Sequence, residues 1–156
     1  MKTYRLERRM TVPVSLRDAF AFFEDPQNLA RITPPSLKLR ITSPPPIRMR
    51  KGAEIAYQIR WLGLPLSWKT LITEYEPPFF FVDEQAAGPY AYWRHRHDFK
   101  PSEYGALVSD RVDYALPFGP LGRLAHRMAV RRQLQDIFGY RQEALAAILT
   151  DAPMAK

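Results

Sequence analysis

From residue 37 to residue 116 the chain reads as one strand after another, and from Pro120 it reads as a single helix. In AEIAYQIRWL (53–62), Ile55, Tyr57, Ile59 and Trp61 fall on one face while Glu54, Gln58 and Arg60 fall on the other, the period of a half-buried strand. LKLRITS (37–43), LSWKTLITEY (66–75), FFFVDEQ (79–85), YAYWRHRHDF (90–99) and ALVSDRVDYAL (106–116) are read the same way. Between them lie a proline-rich loop (43–52) and the breakers GLP, EPP, AAGP and KPSEYG. Connections this short join antiparallel neighbours. Leu121, Leu124, Met128, Leu134, Phe138, Leu145, Ile148 and Leu149 then recur at three- and four-residue spacing, predicting one amphipathic helix to about residue 150. A meander with one apolar face needs a cover, and only this helix is long enough. The expectation is an α+β fold: a curved antiparallel sheet of about six to seven strands wrapped round a long C-terminal helix.

The N-terminal third fits that plan. Tyr4, Leu6, Met10 and Val12 alternate with Thr3, Arg5, Glu7, Arg9 and Thr11, predicting a first strand. Ser15, with Asp18 three residues on, caps a short helix carrying Ala19, Phe20, Phe22 and Phe23. Asp25-Pro26 opens a second short helix that ITPP (32–35) ends. The reading is one domain over 1–150, with DAPMAK (151–156) as a frayed tail.

Composition removes several function classes. The 156 residues are 46% hydrophobic, as in a globular chain. There is no cysteine, so thiolate chemistry and Cys-ligated metal are excluded, and any metal would need His and carboxylates. The charge of +7 comes mainly from arginine, but the basic residues are scattered and no nucleic-acid-binding motif appears. No nucleic-acid partner is expected, and no G-x-S-x-G or justified Ser–His pair suggests a nucleophile. MKTYRLERRMTV lacks the apolar block of a signal peptide, giving a cytoplasmic expectation. The single Asn28 and fifteen prolines would suit a thermophile.

AYWRHRHDFK (91–100) is the most informative stretch for chemistry. Trp93, His95, His97 and Phe99 share one strand face; Tyr92, Arg94, Arg96 and Asp98 share the other. Two unpaired arginines do not point into an apolar interior, so the histidine row faces inward. If Phe99 pairs with Val108 across the 100–105 turn, His97 falls opposite Asp110 and Trp93 opposite Tyr114. Phe81, Asp83 and Gln85 share a parity on the preceding strand, but three successive phenylalanines leave its inward face open. His126 is read as solvent-exposed.

Three readings of the histidines compete. They form a buried polar network with Asp110; they line a cavity and orient a ligand's polar group; or they serve metal or acid–base chemistry. The aromatic set Tyr57, Trp61, Trp68, Phe79, Phe81, Trp93, Phe99, Tyr114 and Phe138 reads as both core and cavity wall. On the helix, Met128, Arg131 and Gln135 fall near the inward stripe, Arg131 and Gln135 within reach of a ligand head group. The loops PPPIRMRKG, AAGP and PFGPLG are the expected lips, with Arg48, Arg50 and Lys51 offering transient membrane contact.

ITPP, GAEIAYQI, GLPLSW, FVDEQAAGPYAYWRHRHDF, VDYALPFGPLG and LQDIFGYRQEAL together resemble the START-like or SRPBCC superfamily over nearly the whole chain. That superfamily includes lipid-transfer START domains, birch-pollen-allergen-like proteins, polyketide cyclases and CoxG-like proteins. The resemblance implies a helix-grip fold enclosing a mostly apolar cavity. Ring-hydroxylase relatives bind iron through a helical D-x-x-H-type motif that this sequence lacks, so neither metal nor cofactor is expected. Some relatives resemble a domain attached to sugar-epimerase-like proteins, implying an epimerase-type protein partner.

The resulting expectation is a non-catalytic binding module for a small hydrophobic ligand, such as a lipid, polyketide or isoprenoid-like molecule. Its site would comprise Tyr57, Trp61, Trp68, Phe81, Trp93, His95, His97, Phe99, Asp110, Tyr114, Met128, Arg131, Gln135 and Phe138. The alternatives are a polyketide cyclase or dehydratase using His97 polarised by Asp110, and an accessory domain with a closed interior.

Overall fold

The computed structural model describes residues 1–61 and 63–150; the expected frayed tail lies outside the described residues. Seven strands form one antiparallel sheet: β1 (Tyr4–Val12), β2 (Arg40–Ile41), β3 (Glu54–Trp61), β4 (Leu64–Glu76), β5 (Phe80–Ala87), β6 (Tyr92–Ser102) and β7 (Gly105–Ala115). Across the sheet they run β1-β7-β6-β5-β4-β3-β2, so β2 to β7 meander and β1 closes the far edge beside β7. The register shifts where Lys69 and Thr70 meet Ala87 and Gln85, a bulge at Ala86 of β5, and again between Ile72 and Glu74, a bulge at Thr73 of β4. Bulges bend a strand and sharpen its twist, which is how this sheet curls.

The connection from β1 to β2 closes one end of the curl. Ser15 Oγ accepts the Asp18 N–H at 3.1 Å and starts α1 (Leu16–Glu24). Asp25 Oδ1 accepts the Gln27 N–H at 3.0 Å, and Pro26 leads a 3₁₀ turn to Ile32. The strand expected over 37–43 shrinks to Arg40–Ile41. Pro35–Leu37 form another 3₁₀ turn and Lys38 takes φ +45°, so the chain reaches β3 too late to pair further. At the β6–β7 turn only glycine fits: Gly105 has φ +141°, and a Cβ there would meet the Val12 carbonyl oxygen at 2.1 Å.

The long helix comprises α2 (Gly119–Ala125), one π turn (His126–Val130) and α3 (Arg131–Thr150). The π turn carries the Arg131 N–H to the His126 carbonyl, an i→i+5 bond. A wider turn keeps residues four apart in line, so Gly122, His126, Val130 and Leu134 all face the sheet. This shifts the phase expected from a regular helix. Met128, expected inward, is 75% exposed, and Leu121 and Leu124 are exposed too.

The core is lopsided. Val12, Phe20, Phe81, Phe99, Val108, Leu145 and Leu149 form one cluster, and Val112, Tyr114, Val130, Leu134 and Phe138 another. Both tie the helix to β1, β6 and β7. The third cluster, built on Ala53, Ile55 and Ile72 of the β3–β4 side, contains no helix residue. Between that side and the helix a space remains.

Candidate functional site

That space is a cavity of about 460 Å³, within the range that holds a drug-sized molecule. Its walls come from alternate residues of four strands: Ile55, Tyr57, Ile59 and Trp61 of β3; Leu66, Trp68, Thr70 and Ile72 of β4; Phe81 and Asp83 of β5; Trp93, His95 and His97 of β6. Phe22, Phe23, Leu29 and Ile32 close one end, and Val130, Gln133, Leu134, Ile137, Phe138 and Arg141 form the helical wall. Met49, Pro89, Pro117, Phe118 and Leu121 also line it, so all three expected lip loops contribute. Phe118, 81% exposed, marks the opening.

Of the expected site residues, Tyr57, Trp61, Trp68, Phe81, Trp93, His95, His97 and Phe138 meet in this wall. Phe99 and Tyr114 are buried against other side chains, on the half of the sheet that touches the helix. Asp110 lies behind the histidines rather than in the wall. Arg131 and Gln135 are exposed, as is Met128, because the π turn rotates them towards solvent. Phe79 is 54% exposed at the β4–β5 turn and belongs to neither core nor wall. His126 corrects the opposite way: it is buried, stacks on Tyr4 with ring centres 3.5 Å apart, and shares a 2.8 Å hydrogen bond with the Tyr114 hydroxyl.

The register of β6 on β7 is the expected one: Phe99 opposite Val108, His97 opposite Asp110, Trp93 opposite Tyr114. The outward arginines are answered, Arg94 by Glu74 at 2.7 Å and Arg96 by Asp98 at 2.9 Å. Inside, the two histidines and two acids form one cluster. His95 Nε2 donates to Asp110 Oδ1 at 2.9 Å, and His97 Nε2 donates to Asp83 Oδ2 at 2.7 Å. The second nitrogen of His97 lies 3.1 Å from Asp110 Oδ1 without forming an aligned hydrogen bond. The expected His97–Asp110 pairing is therefore a contact of charge, while the hydrogen bond to Asp110 belongs to His95.

Electrostatics divide the cluster's protons. Burial opposes charge on both acids, but donation from the histidines and their charge hold Asp83 and Asp110 below the usual carboxylate range. Burial also lowers His95, assisted by the charge of neighbouring His97. Burial works against His97 as well, yet the close contact with Asp110, the hydrogen bond to Asp83 and the charge of both acids outweigh it and raise His97. His97, between two carboxylates, therefore holds a proton more readily than an ordinary imidazole, and His95 less readily.

Sequence reasoning missed two residues. Asp83 shares the parity of Phe81, which was visible; the run of three phenylalanines hid which parity faces in. Arg141 sits between Phe138 and Leu145 on the buried stripe of α3, three residues after one and four before the other. That spacing was the available signal. The phase expected from α2 drew attention to Arg131 and Gln135 instead.

Asp83, His95 and His97 each bring one ligand atom within 4.8 Å of the others, the donor types of a 2-His-1-carboxylate metal set. Loading it would require His97 to release the proton it gives Asp83. Without metal the same groups can hold a proton, donate hydrogen bonds and orient a carbonyl or hydroxyl. No described helix is long and apolar enough to cross a membrane.

A sheet curled round a terminal helix, with a polar cluster in an apolar cavity, defines the START/SRPBCC class of helix-grip proteins. Residues 12–138 match the family "Polyketide cyclase / dehydrase and lipid transport", and the chain belongs to that family. No curated protein matches the sequence. Among solved structures, a Chromobacterium violaceum protein superposes with TM-score 0.72 at 15% identity, over 96% of this chain and 99% of that one. A START superfamily protein from Mycobacterium smegmatis gives 0.70 at 12% identity, covering 94% and 97%. The di-domain ARO/CYC protein StfQ of the steffimycin biosynthetic pathway gives 0.72 at 14% identity, covering 96% of this chain and 51% of that one.

Proposed function

We propose that the chain binds a small, largely apolar molecule with one polar end, holding it for storage or transfer. The observation that supports this is the cavity of about 460 Å³, whose walls are mostly apolar and into which His95, His97, Asp83 and Arg141 bring polar groups. Apolar burial supplies the driving force, at roughly 25 cal/mol per Å² removed from water, and the polar cluster sets orientation. The test is mass spectrometry of the purified protein, first native and then denatured. A stoichiometric lipid, polyketide or isoprenoid-like molecule supports the reading. Failure to retain any member of a panel of such molecules on reconstitution removes it.

A second reading is favoured by one observation: His97 lines the cavity between two carboxylates, as a proton carrier for a cyclisation or dehydration would. Turnover of a poly-β-keto thioester, lost in His97→Gln, would promote this reading over the first. Tight binding without turnover would leave the binding module standing. An epimerase-type protein partner fits less well, since an accessory domain was expected to have a closed interior. The exposed Arg48, Arg50 and Lys51 remain the contact proposed for a membrane surface during ligand exchange.

A further inference from the structure

Arg141 is a buried cation in the cavity wall that forms no ion pair among the described residues. It is 8% exposed, and its guanidinium carbon lies 4.7 Å from the centre of the Phe138 ring. Its Nε has no hydrogen-bond partner. Among the described residues, no carboxylate comes within 4.0 Å of its nitrogens. Asp83 is near enough for the two charges to interact, but Asp83 Oδ2 is taken by His97 at 2.7 Å. Asp110 is likewise held by His95.

Burying a guanidinium without its counter-charge is strongly unfavourable. A leucine or methionine would fill the same place on the stripe between Phe138 and Leu145 without that cost. The side chain lines the cavity, so the missing negative charge can arrive there from outside the protein. A guanidinium presents parallel N–H groups that match the two oxygens of a carboxylate. Asp83, in the same wall, disfavours a doubly charged head. The residue lies three positions beyond the family-matched segment, which ends at 138.

We infer that Arg141 is the anion-holding residue of the cavity, and that the ligand is an amphipathic monocarboxylate whose apolar body fills the remaining space. This rests on the cavity-binding reading and adds the charge of the ligand to it.

Calorimetric titration with decanoate and with decan-1-ol, which share a chain and differ in charge, tests the inference. The wild-type protein is expected to bind decanoate about ten-fold or more tighter than the alcohol. Arg141→Met should abolish the preference while keeping affinity for the alcohol, and Arg141→Lys should retain part of it. Arg132→Met, an exposed change on the same helix, should alter neither. Removing an uncompensated buried charge should leave the melting temperature of Arg141→Met equal or higher, which checks that it folds. Equal wild-type affinities, or a preference that survives in Arg141→Met, would overturn the inference and leave the cavity reading intact. If neither molecule binds the wild-type protein, both fail.

Discussion

His97 directs its two ring nitrogens at acids from two different strands, Asp83 of β5 and Asp110 of β7, and this determines how stability should vary with pH. Both acids titrate below the ordinary carboxylate range when folded, so acid loads the unfolded chain first. Their contribution is complete above that range and is lost as pH falls through the lowered folded values. His97, raised on folding, contributes fully below the ordinary imidazole value and loses that contribution as pH rises through its higher one. His95, lowered on folding, subtracts stability below the ordinary value, so the two histidines oppose one another near neutrality. Denaturant unfolding across pH should therefore show a steep acid limb and a shallow neutral one. Asp110→Asn should cost about 3–5 kcal/mol at neutral pH and flatten the acid limb; an unchanged acid limb would refute this account. The inward row on β6 was legible because strand parity is two and unpaired arginines cannot face a core. Asp83 was half legible, and the lone Arg141 was hidden by an error of helical phase.

That error arises in one element. Five strands of the meander and the long helix follow directly from period and turn residues, whereas the π turn at His126–Val130 leaves no mark in a pattern read as regular helix. Its extra residue carries His126 inward and Met128 outward, reversing the expectation for both. Inserting a second alanine beside Ala129, which is exposed, should give the helix one residue more than the wide turn absorbs and rotate one side of the turn by about 100° relative to the other. The expected outcome is loss of the Tyr114–His126 hydrogen bond and a melting temperature several degrees lower. A variant as stable as the parent would show that the turn does not set the helix phase. The shortened β2 has a similar lesson, since an alternating stretch became a strand only where a neighbour was within reach.

At the scale of the molecule, the sheet grips the helix on one side and stands clear of it on the other. Family and fold were legible because they depend on element order; the shape of the cavity was not, because it depends on which half of the sheet the helix touches. Phe99 and Tyr114 lie on the gripped half, Tyr57 and Trp68 on the open one, and strand parity treats them alike. A carboxylate ligand at about a hundred times its Kd should add about 2.7 kcal/mol to folding, roughly 5–10 °C in Tm for a domain of this size. A bound ligand that left Tm unchanged would have to bind the unfolded chain equally well, which a site inside the cavity does not allow.

The cavity between β3 and the helix has a further effect in a cell. A ligand held in the cavity binds only the folded chain and so stabilises it, and the unloaded protein opens more often and is cut by proteases more often. The loaded protein opens less. Its lifetime would then rise and fall with the supply of its ligand, and its abundance would record that supply without any change in the rate of synthesis.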